Sequence, residues 1–176
     1  MRSLSVRRKL ALILACAWLG AAACRSGGCD SDGICECDHR AGQCYLDCGG
    51  SGCAQSCHDT DECGAVCDDG CSFDCHSSPR CSNFCGSNCV STCYDTAECG
   101  TICGDGCNHT CRSVANCGVR VGAGSSVTCQ DVTACVVECS GSCRVTCIQA
   151  GSCRVTCAGG AAASNCGGGV FACGPC

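Results

Sequence analysis

From residue 135 onward the chain alternates. The segments CVVEC (135–139), CRVTC (143–147) and CRVTC (153–157) place Cys, Val and Cys at i, i+2 and i+4. Arg144, Thr146, Arg154 and Thr156 fall between them. A period of two is the strand period, so each segment reads as a short strand with one face of sulfur and valine and one polar face. A helix also brings i and i+4 together, but Gly, Ser, Asp and Thr at this density disfavour it. The strands are joined alternately by turns of three and five residues. Asp68-Asp69-Gly70, Gly86-Ser87-Asn88, Gly104-Asp105-Gly106, Gly122-Ala123-Gly124 and Ser140-Gly141-Ser142 are all tight-turn residues.

Cysteine spacing carries the pattern back to the middle of the chain. Positions 63, 67, 71, 75, then 81, 85, 89, 93, then 99, 103, 107, 111 step by 4, 4, 4 and 6, a period of 18. Cys117 opens a coil whose next two expected sulfurs are replaced by Val121 and Ser125, and Cys129 restores the register. Cys53 and Cys57 keep it too, while Cys44 and Cys48 are displaced by one. Segments 58–75 and 94–111 match at ten of eighteen positions, so a two-coil unit of 36 lies over the simple period. The expected fold is all-β: a thin, disulfide-rich β-solenoid of 18-residue coils, two C-x3-C strands per coil, with irregular caps. Tandem small knotted disulfide modules are the alternative. The inward positions Phe73, Asn83 and His109 are less regular than the later valines.

Composition shows what must hold such a fold together. Of 176 residues, 32 are Cys and 25 Gly. Residues 24–176 contain only 19 Leu, Ile, Val and Phe, too few to offset the conformational entropy of folding. Cross-links or metal–thiolate bonds must supply the difference. A (β/α)₈ barrel and a nucleotide-binding α/β domain are excluded, because no stretch provides buried parallel strands rich in aliphatics. The net charge is −5, and −9 once Arg2, Arg7, Arg8 and Lys9 leave with a leader. That acidic balance argues against nucleic acid as a partner.

Residues 1–9 are basic, 10–23 form an apolar run of fourteen, and Ala21-Ala22-Ala23 precedes Cys24. This is the order of an export signal, too short for a permanent membrane span. With a cysteine just after the small residues, it resembles a bacterial lipoprotein signal. That resemblance implies cleavage before Cys24, a lipid on its sulfur and anchorage in the outer membrane. Ala21 departs from the usual Leu. Cys16 fits the local box as well but leaves a short apolar core, and plain secretion is the alternative. The divisions are therefore 1–23 (signal), 24–43 (lipidated Cys, tether and irregular cap), 44–157 (solenoid) and 158–176 (Gly/Ala-rich cap).

Without Cys16 and Cys24, thirty cysteines remain, enough for fifteen bridges in an oxidising compartment. Loss of the pair at 121 and 125 favours bridging across the three-residue turns: Cys67 with Cys71, Cys85 with Cys89, Cys103 with Cys107 and Cys139 with Cys143. The other sulfurs pair across the five-residue turns, as Cys75 with Cys81, or first to fourth within a coil.

Few motifs suggest further chemistry. Cys173-Gly-Pro-Cys176 matches a thioredoxin-type tetrapeptide, but a terminal disulfide is the expectation. Cys35-Glu-Cys37 is similar to a metallothionein chelate bite, although the chain is almost wholly C-x3-C. Asp30-Ser-Asp-Gly33 resembles the start of a calcium loop and lacks the later ligands. Asp59/Glu62, Asp95/Glu98, Asp69 and Asp105 read as turn chemistry, with Ca²⁺ as the minor reading. His39, His58, His76 and His109 are scattered along the chain. Thr92, Thr110, Thr128 and Thr146 form one outward rank, as on ice-binding solenoids, yet without the second parallel file. No catalytic constellation stands out, so the expectation is no enzyme, no cofactor and no resident metal.

In its leader, Cys24 and CRVTC-type repeats the chain resembles the cysteine-rich repeat lipoproteins of GC-rich Gram-negative bacteria. That resemblance implies a location and no defined activity. The expected role is structural or interactive, at the membrane through the N-terminal lipid, toward a protein or surface glycan. A metal-binding protein, by thiolates or acidic turns, is the alternative.

Overall fold

The computed structural model describes residues 24–27, 29, 30, 32–37 and 42–176. Residues 1–23, the expected signal, lie outside them, as does Cys16. The strands are β1 (Cys24–Gly27), β2 (Ile34–Cys37), β3 (Gln43–Asp47), β4 (Ala54–His58), β5 (Glu62–Val66), β6 (Ser72–His76), β7 (Arg80–Phe84) and β8 (Val90–Ile102). They continue as β9 (Asn108–Val121), β10 (Ser125–Gln130), β11 (Ala134–Cys139), β12 (Cys143–Ile148), β13 (Ser152–Thr156), β14 (Ser164–Gly167) and β15 (Val170–Cys173). One 3₁₀ turn, Ala158–Gly160, accompanies them. The fold is a β-solenoid of about seven turns of about 18 residues.

Two parallel sheets face each other. The first stacks β2, β4, β6, residues 90–94 of β8, residues 108–112 of β9, β10 and β12. The second stacks β1, β3, β5, β7, residues 98–102 of β8, the end of β9, β11 and β13. From β4 to β13 each residue pairs in parallel with the one 18 positions onward, as Cys57 with Cys75 and Cys75 with Cys93. Earlier coils are longer, since Gln43 pairs with Glu62 and Ile34 with Ala54, which accounts for the displaced Cys44 and Cys48. At the far end the direction reverses: β15 pairs antiparallel with β12, and β14 with β15. This hairpin covers the open edge of the first sheet, where unpaired N–H and C=O groups would otherwise template association.

Most coils turn with two left-handed residues, the turn at 140–142 having none. The third residue of the three-residue turns has positive φ at Gly70, Asn88 and Gly106 (69°, 58° and 69°), which explains Gly or Asn at that place. The second residue of the five-residue turns does the same at Asp59, Ser77, Asp95, Ser113, Asp131 and Gln149, with φ between 51° and 55°. These are not glycines, so the turn carries a local conformational cost that the bridge across it must hold.

The interior is narrow and built largely of sulfur. Between Cys44 and the coil of Val145, Cys at the strand ends points inward with one central residue between them, Val121 and Ser125 taking two of those places. In the first sheet the central positions are Gln55, Phe73, Ser91, His109, Val127 and Val145, all buried. In the second they are Leu46, Ala65, Asn83, Thr101, Val119 and Val137, buried as well. The irregular inward residues of the earlier coils therefore pack inside like the valines. They do so at a cost: Gln55 Oε1, Asn83 Oδ1, Ser91 Oγ, Thr96 Oγ1, Thr101 Oγ1 and His109 Nδ1 are buried without a hydrogen-bond partner. A group of that kind costs about 1–3 kcal/mol.

Candidate functional site

The two sharp edges of the solenoid are lined by disulfides. Along the edge of the three-residue turns run Cys67–Cys71, Cys85–Cys89, Cys103–Cys107 and Cys139–Cys143, preceded by Cys48–Cys53 across a four-residue turn. Along the edge of the five-residue turns run Cys57–Cys63, Cys75–Cys81, Cys93–Cys99, Cys111–Cys117, Cys129–Cys135 and Cys147–Cys153, preceded by Cys37–Cys44 with six residues between its two cysteines. Cys29–Cys35 joins the first coil, so the pairing open between five-residue turns and first-to-fourth bridging is resolved toward the turns. All thirty cysteines from Cys29 to Cys176 are bridged.

The C-terminal tetrapeptide departs from expectation. Cys173 pairs with Cys157 and Cys176 with Cys166, so no terminal disulfide joins them. The reason is the reversal of direction at β15, which aligns Cys173 with Cys143 and carries it away from Cys176 toward the last coil. The two sulfurs belong to separate bridges and do not form a dithiol pair.

The acidic turns are occupied by backbone. Asp69 Oδ1 accepts the Ser87 N–H at 2.6 Å, and Asp105 Oδ1 accepts the Ala123 N–H at 2.7 Å, each one coil onward. Asp30 Oδ1 accepts the N–H groups of Asp32 and Ile34, closing an Asx turn where the calcium-loop resemblance lay. Glu62 lies 3.5 Å from Arg80 and also accepts from Gln43, while Arg80 is in register with Glu98. Arg120 grips Glu138 through Nε and Nη2. These exposed pairs each contribute little, about 0–1 kcal/mol.

The outer faces hold arrangements that the linear order conceals. His58, His76 and Tyr94 stack on the first sheet with ring centroids 5.1 and 4.6 Å apart, and the Arg112 guanidinium lies 5.7 Å over Tyr94. Two of the scattered histidines thus share one file. The signal for it was available, since 58, 76, 94 and 112 differ by 18. Tyr94 has its hydroxyl pKa raised, first by desolvation, then by the charges of Asp74 and Asp95. Beside this file Thr92, Thr110, Thr128 and Thr146 are in register. On the second sheet Ser82, Gly100 and Gly118 floor a shallow trough of about 300 Å³. Phe84 and Ile102 wall one side, Arg80, Glu98 and Asn116 the other.

His109 is different from all of these, because it points inward among sulfurs. Its Nε2 lies 3.2 Å from Cys111 Sγ, 3.8 Å from Cys99 Sγ and 4.0 Å from Cys117 Sγ. Its Nδ1 has no partner. Full burial pushes its pKa down to about 4, because the charged imidazolium would have no water around it. The ring is therefore neutral at pH 7. Sequence reasoning placed His109 inward but had no means of seeing three sulfurs around one nitrogen.

Cys24 begins β1 and pairs with Gln43 in the second sheet. Comparison with known proteins gives no family model, no curated protein and no solved structure that matches the chain.

Proposed function

We propose that the chain is an exported, non-enzymatic structural or interaction protein, a rigid rod displayed from the outer membrane by a lipid on Cys24. The observation that carries the reading is the pair of disulfide files along both edges. Bridges in such number form and persist in an oxidising, exported environment. Each closes a loop of five to eight residues and contributes about 2 kcal/mol on the chain-entropy account. They compensate for an interior that includes six unpartnered polar atoms and few large aliphatics.

Rigidity suits a display role. Every coil but the one with Val121 and Ser125 is clamped at both edges, and the outer faces carry long, regular files: stacked rings, threonines, and a trough with one apolar and one charged wall. Such surfaces suit a partner that is itself extended and repetitive, such as a surface glycan or a peptide strand. Among the described residues no helix is long and apolar enough to cross a membrane, so the lipid is the proposed anchor.

Intact mass of the protein extracted from its own membranes, after alkylation of free thiols, tests the whole reading. A chain starting at Cys24 with an acyl mass, thirty hydrogens missing and no alkyl groups is the expected result. A chain with no lipid and many alkyl groups overturns the anchor and the bridged rod together. A bridged chain without lipid overturns the anchor alone and leaves a secreted rod.

A further inference from the structure

Neighbouring bridges in one file stack so closely that their four sulfurs cluster, as Cys48, Cys53, Cys67 and Cys71 do within 4.8 Å of one another. Stacking alone expresses no preference for a ligand. Coil 107–117 differs because its central inward residue is an imidazole, where the other coils have Gln55, Phe73, Ser91, Val127 and Val145. Cys93, Cys99 and His109 form one group within 4.8 Å, and His109, Cys111 and Cys117 another.

The nitrogen-to-sulfur distances suit a tetrahedral shell, while Cys111 and Cys117, bonded to each other in the closed bridge, part when that bridge opens. Zinc binds thiolate at about 2.3 Å and imidazole at about 2.0–2.1 Å, which at tetrahedral angles separates nitrogen from each sulfur by roughly 3.6 Å. His109 Nε2 stands 3.2, 3.8 and 4.0 Å from three sulfurs, values that bracket that spacing. The ring is buried to 2% exposure, and its other nitrogen is bound to nothing. Packing alone aims Nε2 at the sulfurs, an unusual arrangement for a buried polar group with a purely structural role.

We propose that Cys99, Cys111, Cys117 and His109 Nε2 bind one divalent ion of the zinc class whenever the Cys93–Cys99 and Cys111–Cys117 bridges are open. Opening each bridge takes two electrons and two protons from a dithiol, which is left as its own disulfide. Binding then releases one proton from each of the three thiols to water, and Cys93 remains a thiol. Closing the bridges reverses the exchange and removes the ligands, so metal and disulfides exclude each other at this coil. Thiolate with imidazole in a tetrahedral set selects zinc over hard cations such as Ca²⁺ and Mg²⁺.

The test is oxidative refolding of the full mature chain in a thiol–disulfide buffer, with and without one equivalent of Zn²⁺, followed by alkylation and mapping of the cysteines. With Zn²⁺, Cys99, Cys111 and Cys117 should stay open until a chelator is added, while the other files close. X-ray absorption on the zinc of that wild-type sample should count three sulfurs and one nitrogen. His109→Gln should need at least about tenfold more Zn²⁺ to hold the same three cysteines open. The proposal is overturned if the two bridges close equally with and without Zn²⁺, if the retained thiols lie elsewhere, or if the shell is four sulfurs. The shell count uses wild-type protein, so a variant that fails to fold does not blunt the result.

Discussion

Ser125 Oγ accepts the backbone N–H of Cys107 at 3.1 Å, one coil back along the solenoid. In an earlier coil the matching N–H, that of Cys53, donates to the sulfur of Cys71 at 3.4 Å. The hydroxyl therefore stands in for a sulfur, and Ser125 also donates to the Gly104 carbonyl. Its neighbour across the turn, Val121, fills the other missing sulfur position, and both are buried. The edge file is interrupted here in chemistry but not in shape.

That substitution can be reversed. The bridged pairs on either side, Cys103–Cys107 and Cys139–Cys143, have Cα separations of 6.4 and 6.1 Å, and residues 121 and 125 sit in the same register. The double change Val121→Cys and Ser125→Cys should form a sixteenth bridge, seen as two further hydrogens lost in the intact mass. Stabilisation should be about 2 kcal/mol or less, because the loop is short. A pair of alkylatable thiols in the folded variant would show that the backbone at this coil departs from its neighbours.

The aspartates of the three-residue turns act as rungs between coils. A side chain at Gly122 would run into Asp105 Oδ1 and come within 2.7 Å of the Asp105 nitrogen. Gly86 stands in the same relation to Asp69. Asp105→Ala should cost about 0.5–1.5 kcal/mol, the net worth of one hydrogen bond, and Asp105→Asn should cost less because it keeps an oxygen acceptor. Gly122→Ala should cost more than either, since the new Cβ meets backbone as well as carboxylate. Denaturant midpoints of the three variants check the order. Addition of Ca²⁺ should leave the wild-type midpoint unchanged if these carboxylates serve the turns.

How much of this was legible in the sequence depends on whether the repeat reaches the residue in question. Between Cys53 and Cys157 a step of 18 identifies each neighbour, so the strands, turns and inward ranks followed from spacing. The same step also aligns His58, His76, Tyr94 and Arg112, but scanning the chain for histidines hides it, because a file of mixed residue types has no motif. Outside the repeat the arithmetic fails. The coils before Cys53 are one or two residues longer, and β15 runs backward, so the partners of Cys173 and Cys176 could not be counted out. The surroundings of His109 were hidden for another reason. They depend on where three sulfurs from two turns converge, and periodicity gives the rank of a residue without its depth.

The buried hydroxyl of Thr101 offers a route to greater stability. Its Oγ1 has no partner, and the next two coils place Val119 and Val137 at the same inward position. Thr101→Val keeps the shape and removes a desolvated hydroxyl. A gain of about 1–2 kcal/mol is expected, read as a higher guanidinium midpoint with all bridges intact. A loss would mean that the hydroxyl has a partner in solution, such as a buried water.

Mild acid should weaken the solenoid through the buried imidazole of His109. With both neighbouring bridges closed, the folded state holds His109 neutral down to about pH 4, whereas an exposed imidazole takes up a proton near 6.5. Between these values the unfolded chain binds more protons than the folded one, so stability falls as pH drops from about 6.5 toward 4 and levels off below. It is fully present above about 6.5. The full difference corresponds to about 3 kcal/mol. The comparison that isolates His109 is with His109→Val, a residue already used at Val127 and Val145. Guanidinium midpoints of wild type and variant should diverge as the pH is lowered from 7 to 5, with the wild type losing more. Parallel curves would show that the imidazole is solvated or finds a proton acceptor inside the coil.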